Sequence, residues 1–160
     1  VAQARKGEHL EAIWASMQGL SIARDFGYRH DICLALSNLG NAYVERGRLW
    51  DAIACYEEAL QVALRLDDCR IGVKLLRDLG AAYRVLAYAE GQDAPPHHYL
   101  QQAEAYYRQS GELARQIGDL WGASATYWRQ DELSLSLEDH EASAGLDPVG
   151  HLGCPQQDQG

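Results

Sequence analysis

The chain lacks most of what marks a catalytic, metal-binding or membrane protein. Its four cysteines, Cys33, Cys55, Cys69 and Cys154, are scattered with no CxxC spacing. They read as small core residues of a reduced protein rather than as a disulfide framework or a zinc site. Prolines number four, and phenylalanine and methionine one each. An apolar fraction rich in Leu and Ala favours helices over strands. No run of about 18 apolar residues occurs, so no membrane span is expected, and no signal peptide is recognised. No Gly-rich phosphate loop, nucleophile elbow or His-Glu metal signature is present. The expectation is therefore a non-enzymatic protein with no catalytic residue, no metal and no cofactor, located in the cytoplasm. Basic residues are missing from the C-terminal end: no Lys or Arg occurs from Gln130 onward. Residues 1–90 carry 11 Lys/Arg against 12 Asp/Glu, a net of −1. Residues 91–160 carry 3 against 11, a net of −8, which together give −9. Such a balance argues against nucleic-acid binding, which depends on neutralising phosphates.

What is present is a repeat. Leu39-Gly40-Asn41-Ala42-Tyr43 returns forty residues later as Leu79-Gly80-Ala81-Ala82-Tyr83, and the same shift maps Gly7, Ala12, Leu20 and Ala23 onto Gly47, Ala52, Leu60 and Ala63. A fixed period of roughly 20–50 residues marks a stacked repeat array. Val1 to Gly7 aligns with Asn41 to Gly47, the end of a helix, so the chain is expected to open in mid-repeat as a fragment of a longer protein. Helices are expected over about 8–25, 31–46 (capped by Asp31), 49–66 and 70–90, each with apolar residues at helical spacing. Gly27, Gly47 and the pair Asp67-Asp68 are expected to end the first three.

Gly91 to Pro96 cannot continue a helix. Beyond it Ala52, Tyr56, Ala63 and Asp68 reappear as Ala103, Tyr107, Ala114 and Asp119, a shift of 51, so an eleven-residue insertion is divided between the loop and a longer preceding helix. In the last expected helix, about 120–137, Gln130-Asp131 replaces the Leu-Gly pair, as in a cap that closes an array. Residues 138–160 read as an acidic, disordered tail. Trp14, Trp121, Trp128 and Tyr106-Tyr107 are expected in the core. His97-His98 reads as a pair of surface loop histidines, and Glu57-Glu58 and Asp67-Asp68 as solvated carboxylates.

These residues resemble the tetratricopeptide repeat family. Leu39-Gly40…Tyr43 with Ala52…Tyr56…Ala59 meets all six positions of its pattern. Leu79-Gly80…Tyr83 with Ala103…Tyr107…Ser110 does so across the insertion, and Ala12…Ser16…Gly19 is a weaker half-unit. The forty-residue spacing is similar to a subset found in repeat arms of signalling ATPases and transcriptional activators and in peptide-binding scaffolds. The resemblance covers about residues 1–137. It implies an all-α, right-handed α-solenoid of stacked antiparallel helix pairs with an atypical C-terminal capping helix. It also implies protein–protein or peptide recognition in a concave groove. The alternatives are a sensor arm of a larger ATPase or transcriptional regulator, and an accessory segment of an enzyme whose catalytic domain lies elsewhere.

Carried over by position, the groove is faced by Leu34, Ser37, Asn38, Asn41, Val44 and Glu45, and then by Lys74, Arg77, Asp78, Ala81 and Arg84. Asn38 and Asn41 share a helix face and offer donor and acceptor to a peptide backbone. Lys74, Arg77 and Arg84 share another face and suit a partner with acidic groups. The candidate binding residues are thus Asn38, Asn41, Glu45, Lys74, Arg77 and Arg84. The acidic segment 131–160 could fold back over the basic trio, and the incomplete first repeat could let copies stack end to end.

Overall fold

A computed structural model describes residues 2–89 and 97–145. Six helices follow one another: α1 (Ala2–Phe26), α2 (Arg29–Glu45), α3 (Leu49–Arg65), α4 (Cys69–Ala89), α5 (His97–Gln116) and α6 (Leu120–Gly145). No strand occurs among the described residues. Each helix packs along the one before it. Contacts also skip along the chain. Arg24 of α1 pairs with Glu58 of α3, and Lys74 of α4 reaches Ser37 of α2. Trp50 of α3 meets Tyr99 of α5, and Arg84 of α4 pairs with Glu132 of α6. The odd helices therefore form one layer and the even helices a second. This is the all-α stack of helix pairs that the period predicts.

One turn geometry recurs at four of the five junctions. Gly27, Gly47, Asp67 and Gly118 have φ of 72°, 72°, 52° and 69°. The residue after each donates its N–H to a carbonyl five positions back: Tyr28 to Ala23 (2.9 Å), Arg48 to Tyr43 (2.9 Å), Asp68 to Ala63 (3.1 Å) and Asp119 to Ala114 (2.8 Å). This bond satisfies a carbonyl that the helix end would otherwise leave open. Asp67 makes the same turn with a side chain in the left-handed region, where glycine is favoured. Asp31 does not cap α2. It lies inside the first turn, near the positive helix end, and the N-cap is Tyr28, which makes no side-chain cap bond. Side-chain capping occurs instead at Asp68, which accepts from the Ile71 N–H at 3.2 Å, and at the aligned Asp119, which accepts from the Gly122 N–H at 2.9 Å.

The core is built from the positions that repeat. Ala52, Tyr56, Ala59 and Ala63 of α3 are buried, as are Ala103, Tyr107, Ser110 and Ala114 of α5. A Cβ placed on Gly40 would lie 2.5 Å from the Tyr56 ring. One on Gly80 would lie 2.7 Å from the Tyr107 ring and 3.1 Å from the Ala103 carbonyl oxygen. Each Leu-Gly pair thus seats the tyrosine of the following helix, and any larger residue would separate the two backbones. Where the insertion falls, α4 is longer than α2, at 21 residues against 17. There Tyr83 stacks on Tyr106 (5.6 Å) and meets the edge of Trp50 (6.4 Å), tying α3, α4 and α5 together.

Several expectations are corrected. The helix does not break at Gly7: α1 runs through it from Ala2. At the Gly47 turn the next helix is anchored by buried Leu49, whereas forty residues earlier the sequence has the polar His9 in its place. The end-to-end association expected from a half-repeat ending at Gly7 loses that basis. The last helix runs to Gly145 rather than ending near Leu137, because Glu and Ala favour helix even where charge is high. Residues 131–145 are therefore part of α6 rather than a free tail, and of the basic trio it is Arg84 that one of them, Glu132, meets. The expectations for 146–160 and for the loop 90–96 lie outside the described residues. His97 and His98 open α5 rather than lying in the loop.

Trp14, Trp121 and Trp128 are not core residues: they are 64%, 88% and 76% exposed. The face α6 buries is Gly122, Thr126 and Leu133, and neither tryptophan of α6 lies on it. Tyr107 is fully buried and Tyr106 packs partly buried against the core, as expected.

Two substitutions test the turn and the seat. Gly80→Ala is expected to lower stability by about 1–3 kcal/mol through overpacking. Asp67→Gly is expected to raise it by about 0.5–1 kcal/mol by relieving the left-handed residue. Urea unfolding monitored by circular dichroism measures both.

Candidate functional site

The even-numbered layer carries the candidate residues, and the structure divides them among separate clefts. Asn41 and Glu45 line one of about 350 Å³ between α2 and α4, together with Val44, Tyr56, Asp78 and Val85. Lys74 and Arg77 line a second of about 300 Å³ between α4 and α6, with Arg70, Asp119 and Trp121. Arg84 lines a third with Val85, Tyr88 and Ala89. The basic trio is therefore a pair and a separate arginine rather than one cluster. Asn38 is exposed on α2 and lines none of these clefts.

The side chains are already committed in specific ways. The Tyr56 hydroxyl donates to Asn41 Oδ1 at 2.6 Å. With its oxygen held, the Asn41 amide keeps its NH2 as donor at the cleft. Lys74 Nζ donates to Ser37 Oγ at 2.7 Å and to Asp78 Oδ2 at 2.8 Å, so it links α2 to α4 before meeting any ligand. Arg84 Nη1 pairs with Glu132 Oε1 at 3.3 Å. Arg77, half-buried at the second cleft, makes no hydrogen bond or ion pair with the described residues.

The two tyrosine seats differ in what lies beside the hydroxyl. Tyr107 repeats Tyr56, but its hydroxyl is buried without a hydrogen-bond partner among the described residues. The residue corresponding to Asn41 is Ala81, which has no polar atom to offer. One repeat thus carries an oriented amide at its cleft and the next an unpaired hydroxyl.

Burial dominates the electrostatics of the neighbouring acids. It pushes the Tyr56 phenol up, with the nearby Asp78 and Glu45 carboxylates adding to the shift. It likewise pushes the Cys55 thiol up to about 11 and the Cys33 thiol above its usual range. Cys33 Sγ donates to the Ala59 carbonyl at 3.0 Å. These thiols are held neutral, which suits packing and opposes nucleophilic use. Among the described residues no three His, Cys, Asp or Glu side chains are grouped to hold a metal ion. No helix there is long and apolar enough to cross a membrane.

Sequence reasoning missed part of this face. Tyr56 and Val85 belong to the Asn41 cleft. Trp121 belongs to the Arg77 cleft, although it was expected in the core. The signal was available: the shift of 51 maps Arg70, Arg77 and Arg84 onto Trp121, Trp128 and Leu135, so the tryptophans occupy the positions that carry groove arginines on α4.

Residues 33–63, most of α2 and α3, match the tetratricopeptide repeat family. The chain carries this repeat, the kind from which protein–protein interaction modules are built, and its six helices stack in the all-α manner of such arrays. No curated protein matches the chain.

Two measurements follow. Tyr56→Phe is expected to cost about 1 kcal/mol, since it strips the Asn41 amide of its partner, while Tyr107→Phe is expected to be neutral or stabilising; urea midpoints compare them. Because Cys33, Cys55 and Tyr56 ionise less readily folded than unfolded, stability is full below pH 9 and falls as the pH rises toward 11. Cys55→Ala is expected to show a smaller fall across that window.

Proposed function

We propose that the chain holds a segment of a partner protein along the α2–α4–α6 face and performs no catalysis. The observation that carries this reading is the hydrogen bond from Tyr56 to Asn41. A buried tyrosine spends its hydroxyl on orienting an amide whose remaining donors meet an open cleft. Fixing a side chain before binding lowers the entropy lost on association. In this reading Asn41 and Asn38 meet the partner's backbone carbonyls, and Glu45 receives backbone or basic donors. Arg77 takes a partner carboxylate, with Lys74 and Arg84 beside it. Val44 and Val85 supply the apolar floor.

The test is selection of binding peptides from a displayed random library on the purified chain, followed by titration against variants. Asn41→Asp keeps an acceptor for Tyr56 but removes the donors, and Arg77→Ala removes the cation. Each is expected to weaken binding by about 1–3 kcal/mol. Gln109→Ala on α5 is expected to change nothing. Unaltered affinity in both groove variants overturns the reading.

A further inference from the structure

Along α4, Arg70, Arg77 and Arg84 recur every seventh residue. Along α6, Trp121, Trp128 and Leu135 do the same at the aligned positions. A seven-residue step in a helix returns to nearly the same face and advances about 10 Å. The two lines run side by side: Arg70 and Arg77 share a cleft with Trp121, and Arg84 pairs with Glu132 of α6 farther along. The apolar line is open, with Leu135 59% exposed and both tryptophans more so. Arg70 and Arg77 make no ion pair with the described residues.

We propose that this half of the face receives an amphipathic α-helix of a partner protein, apolar at every seventh position and acidic along the flank that meets α4. The inference rests on the binding role assigned to this face and names the chemistry of its occupant. A helix presents same-side residues at about 10 Å intervals, in step with the tryptophans. An extended segment presents them at about 7 Å and falls out of step. Arg70 and Arg77, with no ion pair among the described residues, select carboxylates. The chain's own residues 146–160 do not have this chemistry: they contain only Asp147 and Asp158 as acids, with Pro148 and Pro155 between them. Residues 146–160 are therefore not the helix proposed here.

The probe is a labelled three-heptad synthetic peptide, with one Leu per heptad, Glu beside each Leu and Ala elsewhere, titrated by fluorescence anisotropy. Two variant peptides accompany it, one with Lys for Glu and one with Pro in the central heptad. The acidic helix is expected to bind at least ten-fold tighter than either variant peptide. Trp128→Ala, a change at an exposed site, is expected to weaken it at least ten-fold. Arg77→Ala is expected to weaken it several-fold and to flatten its salt dependence. Equal affinity for the Glu and Lys peptides, equal affinity for the Pro peptide, or no effect of Trp128→Ala overturns the inference. So does an absence of binding. An acidic peptide whose binding responds to Asn41→Asp but not to Trp128→Ala overturns the inference and leaves the broader binding role standing.

Discussion

The close seat of a tyrosine on a glycine governs the array. Gly40 and Gly80 leave room for the rings of Tyr56 and Tyr107 and for nothing else. A glycine inside a helix weakens that helix by about 1 kcal/mol relative to alanine. The weakness is offset across the pair, because the backbones approach closely enough to bury Ala52, Ala59 and Ala103 completely. No helix here could bury its own apolar stripe alone. Stability is thus a property of neighbours, as in other linear arrays.

The same seat reaches the candidate binding face. The tyrosine that fills the gap at Gly40 also carries the hydroxyl that orients Asn41. Packing and the orientation of a cleft amide therefore meet in one residue in the first complete repeat. In the next repeat they separate: Tyr107 packs as well as Tyr56, but beside Ala81 its hydroxyl has nothing to orient. The side chains lining the face then change along it, from an amide and two carboxylates between α2 and α4 to two arginines, a lysine and a tryptophan between α4 and α6. The face is uniform in backbone and graded in chemistry.

Much of the fold was legible because it is local and periodic. Gly27 and Gly47 announce turns by their type, and the Leu-Gly pair with its tyrosine three residues on returns after forty residues. What failed was the assignment of large side chains to faces. Trp121 and Trp128 look like core by hydrophobicity, yet their register puts them on open surface, and the smaller Gly122, Thr126 and Leu133 are buried instead. Asp31 looks like a cap by residue type, but the turn at Gly27 starts α2 earlier, at Arg29. The candidate cations share a helix face, as their spacing requires, but Lys74 and Arg84 had partners on other helices that spacing along one helix cannot reveal.

By itself the sequence determined the number of helices, their order, most of their turns and the kind of repeat they form. Each of these follows from short-range constraints: the spacing of apolar residues, the conformational freedom of glycine and the missing donor of proline. Tertiary structure alone decided which polar groups are already occupied and which remain open. Ser37 claims Lys74, Glu132 claims Arg84 and Tyr56 claims one side of Asn41, while Arg77 is left open among the described residues. Those pairings join residues up to 48 positions apart, and only the stacking of helices brings such residues within hydrogen-bonding distance.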